Sequence, residues 1–246
     1  MSPISTSFAN TLTRNAVRVT PELKRIRWKP SWRLVSSRFP PVGVFDRVAN
    51  VEDMEIISNI EGLTNDRVRQ ELGRIDLVLE NERVYGPGTT PIMAAFTHLN
   101  PEGSRFSRGH YGVYYAAKTI HTAVAETRFH RARFLSATNE PPIEIDMRSY
   151  ASDIDARFHD IRHLQIELPE LYDPNPVKYL AAQQFANELR DRGSNGITYS
   201  SVRHSGGECV AVFRPRLLKP VVQGVHYCFC WDGKEIFDVY EKKKFQ

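Results

Sequence analysis

Arg105, Tyr114, Tyr115, Glu126, Ser201 and Arg203 are the side chains of this 246-residue chain whose types and positions could do chemistry together. Arg105 lies in a loop punctuated by Gly103, Gly109 and Gly112, and the two tyrosines follow on an apolar segment of strand length. Glu126 flanks the apolar stripe of the next segment, and Ser201, Arg203 and His204 occupy a polar, glycine-containing loop. A loop arginine, an aromatic ring and a lone helical carboxylate suit an anionic ligand that carries a ring and develops positive charge. The guanidinium can clasp phosphate through two parallel hydrogen bonds. The ring can stack, and the carboxylate can stabilise a cation. Each residue also has a plain structural reading: a solvated arginine, core tyrosines, a surface glutamate and a turn-forming serine.

The elements that must position these residues follow from periodicity. Trp32 to Val35 reads as a short strand, interrupted by Pro40-Pro41 and resumed over Val42 to Val48. Glu52 to Asn59 and Asn65 to Leu72 read as short helices, and Ile92 to Phe96 as an apolar run of strand length. Val113 to Ala116 is expected to be a strand. In Lys118 to Phe134, residues Ile120, Ala123, Val124, Thr127 and Phe134 recur at helical spacing. Glu126 then sits about 100° from the middle of that stripe, sharing a face with Thr122 and His130. Ile143, Ile145 and Met147 alternate with charged residues, the pattern of a half-buried strand. Asn175-Pro176 is a helix start, Tyr179, Ala182, Ala186 and Leu189 its stripe, and Gly193 its stop. Ile197 to Tyr199 and Cys209 to Phe213 read as strands. The rhythm is mixed α+β with short strands rather than a regular βαβ series.

Composition bounds the function. Hydrophobic residues make up 41% of the chain and charged residues 25%, ordinary globular values that exclude wholesale disorder, collagen and coiled coil. No apolar run reaches the roughly 18 residues of a membrane span, and residues 1–19 lack the apolar core of a signal peptide. Three cysteines, Cys209, Cys228 and Cys230, do not make a secreted disulfide framework and favour a reducing, cytoplasmic compartment. Residues 1–45 hold eight basic side chains and one acid, a net +7 against +4 for the whole chain, so the rest is slightly acidic. That arm reads as a solvated basic tail; the alternative is a nucleic-acid-binding or interaction module that uses it. The phosphate-binding, nucleophile-elbow and zinc-protease motifs are absent from the sequence. His159 and His163 are spaced as on a helix but lack a third ligand, and Cys228-x-Cys230 lacks a second pair, so no metal is expected.

The segments GSRF (103–106), GVYYAA (112–117), TAVAET (122–127), GITYSSVR (196–203) and GGECVAVF (206–213), in this order, resemble the RES family, named for its arginine, glutamate and serine. The resemblance spans about residues 30–220 and is firmest over 103–130 and 196–215. It implies an ADP-ribosyltransferase-like fold, with residues 1–30 a basic extension and 31–246 a single catalytic domain. It also implies a toxin of a toxin–antitoxin pair, a Xre-type antitoxin as partner, and NAD as substrate without a metal. Arg105 matches the family arginine, with Ser104 where glycine is usual and Phe106 where tryptophan is common. Tyr115, eleven residues before Glu126, matches the tyrosine, with Tyr114 the alternative. Glu126 matches the glutamate, and Ser201 the serine, with Ser200 in place of proline. Trp32-Arg33 and Arg38 of Ser-Arg-Phe-Pro-Pro compete for an early aromatic–arginine pair.

On this resemblance Glu126, Tyr115 and Ser201 carry catalysis, while Arg105, Arg33, Arg38, Tyr114 and Arg203 bind the dinucleotide. Loss of neutral nicotinamide leaves positive charge on the ribose, which a carboxylate stabilises as in glycoside cleavage. The acceptor is a protein side chain, water or phosphate, and the residues serve all three. Nucleic acid would be contacted only through the antitoxin.

Overall fold

A computed structural model describes residues 21–39, 43–48, 50–56 and 72–243. The fold is α+β, as the rhythm of the sequence implies. Seven strands form one mixed sheet: β1 (Leu23–Ser36), β2 (Tyr114–Ala117), β3 (Ile143–Asp160), β4 (Gly196–Ser200), β5 (Glu208–Val212), β6 (Val222–Trp231) and β7 (Ile236–Lys242). Their order is β1-β2-β5-β4-β3-β6-β7, and β1 also pairs with β3, so five strands close into a ring from which β6 and β7 extend. The long strand β3 makes this possible. One edge pairs antiparallel with β1 from Leu23↔His159 to Ser36↔Met147; the other pairs with β6 over Ile143 to Ala151 and then parallel with β4 at His159 and Asp160.

Side-chain alternation divides the core into two apolar clusters, one on each face of the sheet. Along β5, Cys209 and Ala211 enter one cluster while Val210 and Val212 enter the other. The first cluster packs beneath α4 (Ile120–Ala137) and α5 (Leu180–Asp191), through Ala123, Leu135, Ala182, Phe185, Ala186 and Leu189. The second packs beneath α1 (Val44–Arg47), α2 (Val51–Ile56) and α3 (Thr90–Thr97), through Phe45, Met54, Ile92, Met93 and Phe96. At Gly112 an added Cβ would stand 2.2 Å from Phe96 Cα, so the chain entering β2 passes α3 at a distance only glycine allows.

Several elements differ from the sequence reading, each for a physical reason. Val44–Arg47, expected as a strand, is a helical turn: Val44 and Phe45 are buried, and the Asp46 carboxylate accepts from Gly43 N at 3.2 Å and Gly88 N at 2.5 Å. The run Ile92 to Phe96 is helical rather than extended, with Pro91 in its first turn; a short apolar run buries itself equally well in either form. The helix expected to start at Asn175 begins at Leu180, after a 3₁₀ turn over Pro176–Lys178 in which Asn175 Oδ1 accepts from Val177 N at 3.1 Å. On α4 the stripe drifts, so that Leu135 is buried and Phe134 is 48% exposed. The expected helix over residues 65–72 lies outside the described residues except at Leu72, as do Pro40-Pro41 and residues 1–20. Residue 30 lies within β1, and Lys24, Arg25 and Arg27 of that strand have acidic partners. Arg25 and Arg27 meet Asp155 at 2.6 and 3.4 Å, and Lys24 meets Asp160 at 3.6 Å.

An ion-pair network locks the end of β3 to β5. Arg162 grips Asp160 with Nε and Nη2, each at 2.8 Å, and also pairs with Glu208, which takes Lys118 Nζ at 2.5 Å on its other oxygen. The Asp160 side chain is only 1% exposed. Burial alone would raise the pKa values of Asp160 and Glu208; hydrogen bonds from Arg162 to both and from Lys118 to Glu208 outweigh it and bring both down. Both acids therefore ionise more readily folded than unfolded. Their stabilisation is complete above the unfolded carboxylate range near pH 4 and is lost as pH falls through the lower folded values. Asp160→Asn is expected to cost about 2–3 kcal/mol at neutral pH and to flatten the acid limb of the stability curve, measured by urea unfolding across pH. An unchanged midpoint and an unchanged acid limb would remove the network from the account of stability.

Candidate active site

Three segments converge on α4. The helix begins at Thr119, whose hydroxyl accepts from Thr122 N at 3.3 Å. Thr122 Oγ1 meets Thr119 Oγ1 at 2.9 Å and His204 Nδ1 at 2.8 Å, tying the first turn of α4 to the loop between β4 and β5. At Gly207 an added Cβ would stand 2.8 Å from Thr122, so glycine lets this loop close on the helix. One turn further along, Ser201 Oγ donates to Glu126 Oε1 at 2.6 Å. The same hydroxyl oxygen accepts from Arg203 N at 3.1 Å and His204 N at 3.0 Å. Ser201 thus shapes its own loop and fixes the carboxylate of Glu126.

Arg105 is 7% exposed, despite its loop position. Nη1 donates to the carbonyls of Leu171 and Asp173 at 2.9 and 3.1 Å, Nη2 to the Tyr179 hydroxyl at 3.1 Å, and the guanidinium lies 4.3 Å from the Tyr179 ring centroid. Three of the five N–H groups of an arginine are committed in this way. Tyr115 brackets it: the phenol oxygen accepts from Phe106 N at 3.0 Å and shares a hydrogen bond with Ser104 Oγ at 2.8 Å. Gln183 Nε2 on α5 closes the same loop through Ser104 O at 2.9 Å. Arg203 lies across the Phe129 ring, 3.3 Å from its centroid, and donates to Pro174 O.

The cluster is electrically polarised. Desolvation, followed by repulsion from Arg203, Arg105 and Arg133, lowers the pKa of His130, which stands four residues beyond Glu126 on the same helix. Burial first, and then the charge of Glu126 among its neighbours, raises the pKa values of Tyr199 and Cys209. Glu208, the first residue of β5, is bound up with Arg162 and Lys118, whereas the carboxylate of Glu126 is held by Ser201.

Of the residues singled out by sequence, the fold brings together Glu126, Ser201, Tyr115, Arg105 and Arg203. It separates Tyr114, Arg33 and Arg38 from them. Tyr114 points to the opposite face of β2, 1% exposed in the second core cluster. Arg33 lies on that face too, 4.8 Å from the Tyr114 ring centroid, with Nη1 donating to Tyr115 O at 3.0 Å. A register shift in β1 between Trp28 and Ser31 sets this orientation. Arg38 lines a cavity of about 440 Å³ with Arg131, Phe134 and Leu135, beside the later turns of α4. His159 is on β3, not on a helix, and bonds Ser194 Oγ at 2.7 Å. Sequence reasoning missed Tyr179 and Phe129 as ring platforms for Arg105 and Arg203. The only signal was an aromatic near each arginine in space, which spacing along the chain does not carry.

If Tyr115 anchors the arginine loop, Tyr115→Phe leaves the Phe106 amide without its acceptor. The expected loss is about 1–3 kcal/mol, with faster amide hydrogen exchange confined to residues 104–107. Unchanged protection of Phe106 would exclude that role.

The RES domain family model matches residues 82–232. The uncharacterized protein y4oC of Sinorhizobium fredii is 32% identical over 209 residues, covering 85% of this chain and 86% of that protein. Among solved structures, that of the M. tuberculosis MbcT–MbcA toxin–antitoxin complex is similar at a TM-score of 0.43 and 10% identity, over 85% of this chain and 87% of that one. A family match over most of the chain, together with that relative, places this protein in the RES domain family.

Proposed function

We propose that this protein is the toxin of a toxin–antitoxin pair and that it cleaves the nicotinamide–ribose bond of NAD. The observation that carries the reading is the Ser201–Glu126 contact of 2.6 Å, on a helix whose next turn carries His130, a histidine repelled by Arg203, Arg105 and Arg133. As nicotinamide leaves, its bonding electrons go with it and the ribose becomes cation-like. A carboxylate already fixed in place stabilises that charge without reorganising. Ser201 positions Glu126. Arg105 and Arg203 supply positive charge for the pyrophosphate, with the N–H groups that their backbone contacts leave over. Tyr115 holds Arg105 in register. The ADP-ribose then passes to a protein side chain, to water or to phosphate. A cytoplasmic antitoxin of the Xre type would restrain the enzyme.

Incubation with NAD labelled on the adenylate tests the reaction. Label on protein, in free ADP-ribose or in phosphorylated ADP-ribose identifies the acceptor; full recovery of intact NAD would overturn the proposal. Expression alone is expected to arrest growth and lower NAD pools, and a partner expressed from the same operon to restore both. Normal growth at high levels of folded protein would argue against a toxin.

Glu126→Gln is nearly isosteric and is expected to lower turnover by about two orders of magnitude or more with an unchanged melting temperature. Activity within a few-fold of wild type would move the catalytic acid elsewhere. In that inactive background, Arg105→Lys should weaken NAD binding and Arg105→Ala weaken it further, because lysine keeps the charge but loses the planar fork. Equal affinity for NAD in the folded Arg105 variants would assign Arg105 to holding the Leu171–Asp173 turn alone, with Arg203→Ala the next variant to test.

A further inference from the structure

Cys228 and Cys230 alternate with Phe229 on β6. Phe229 enters the first core cluster, so the two thiols project from the other face of the sheet. Their cross-strand partners there are polar: Asp146 and Tyr240 beside Cys228, Glu144 and Asp238 beside Cys230. Cysteine as mere apolar filler does not explain two thiols on so charged a face. Yet Cys228 is 0% and Cys230 8% exposed. Glu144 leans over them. Its Oε2 accepts from Cys228 Sγ at 3.4 Å and from the Tyr240 hydroxyl at 3.3 Å. The two sulfurs and a Glu144 carboxylate oxygen all lie within 4.8 Å of one another.

We propose that Cys228, Cys230 and Glu144 bind one zinc ion, at a site distinct from the Glu126 cluster. Zinc takes thiolate sulfur at about 2.3 Å and carboxylate oxygen at about 2.0–2.2 Å in tetrahedral geometry, which sets two sulfurs about 3.8 Å apart. The side chains need to close by about 1 Å at most, a matter of small rotations. Two thiolates with one carboxylate select zinc over magnesium or calcium. Binding displaces the two thiol protons to solvent. Tyr240 orients Glu144 by its hydrogen bond, and water completes the coordination. The ion would link β3 to β6 where the sheet runs out to its edge strand, β7. The sequence reading set zinc aside because Cys228-x-Cys230 lacks a second pair; the third ligand comes from Glu144, 84 residues earlier.

The full chain, purified under reducing conditions without chelator, is expected to retain close to one zinc per molecule by elemental mass spectrometry. Cobalt added to the stripped protein should give a thiolate-to-metal charge-transfer band and tetrahedral visible bands. Zinc at about a hundredfold excess over its Kd should raise the melting temperature by about 5–10 °C. Cys228→Ser and Cys230→Ser should abolish the cobalt band, and Glu144→Gln should weaken zinc binding at least tenfold in competition with a chromophoric chelator. Cys209→Ala should leave zinc binding unchanged. Glu144 is exposed, so its variant keeps the test open if a cysteine variant does not fold. Folded wild-type protein that holds no zinc and gives no cobalt–thiolate band would overturn the proposal. So would affinity unchanged in Glu144→Gln, or a Cys228–Cys230 disulfide with no metal bound. None of these readouts involves NAD.

Discussion

Nearly every one of the 18 residues of strand β3 is paired, with β1 on one edge and with β6 and then β4 on the other, and the rest of the molecule hangs on it. Backbone groups buried in a sheet must be hydrogen-bonded, so a strand this long fixes the position of each strand that satisfies it. Its β1 edge closes the five-strand ring. Its other edge changes partner from β6 to β4, and just past the β4 pairing the chain leaves the strand through Ile161, whose amide donates to Thr198 O at 2.9 Å. The Asp160–Arg162–Glu208 ion pairs stand where the strand ends. They carry its position across to β5, and so to the loop that sets Ser201 against Glu126.

The site is built on this frame by committed polar groups rather than by flexible ones. The Ser201 hydroxyl makes three hydrogen bonds, the Tyr115 phenol two, and the Arg105 guanidinium three. Buried polar atoms left unpaired are costly, so each of these bonds resists displacement. The arginines are therefore held by backbone carbonyls of the 171–174 turn and by ring faces before any ligand arrives. The proposed cleavage of a dinucleotide would draw on this fixed carboxylate and these held arginines, which leave little to reorganise.

Parity of side-chain direction decides which of two adjacent tyrosines belongs to the site. Tyr115 and Tyr114 occupy opposite faces of β2, one toward α4 and the other into the cluster beneath α1–α3. The same rule turns Arg33 away from Glu126 and Trp32 toward the first cluster, because the register shift after Trp28 changes which residues of β1 face which side. It also sets Cys228 and Cys230 on the face opposite Phe229.

Local signals in the sequence were enough for the elements whose pattern is long or strongly punctuated. The amphipathic helix carrying Glu126, the alternating start of β3, the strand before α4 and the apolar β5 are all legible, because burial on one face imposes period 3.6 or period 2 on residue type. The order of the GSRF, TAVAET and GITYSSVR segments marked Arg105, Glu126 and Ser201 as candidates before any fold was known. Short apolar runs were not decided by sequence: Val44–Arg47 and Thr90–Thr97 are helical because both conformations bury the same side chains and only the neighbouring surface selects between them. The choice between Tyr114 and Tyr115, the separation of Arg33 and Arg38 from the cluster, and the meeting of Glu144 with Cys228 belong to the tertiary structure alone. Each depends on strand register and on pairings between residues tens of positions apart. Such pairings are fixed by the closing of the sheet, not by any property of the residues along the chain.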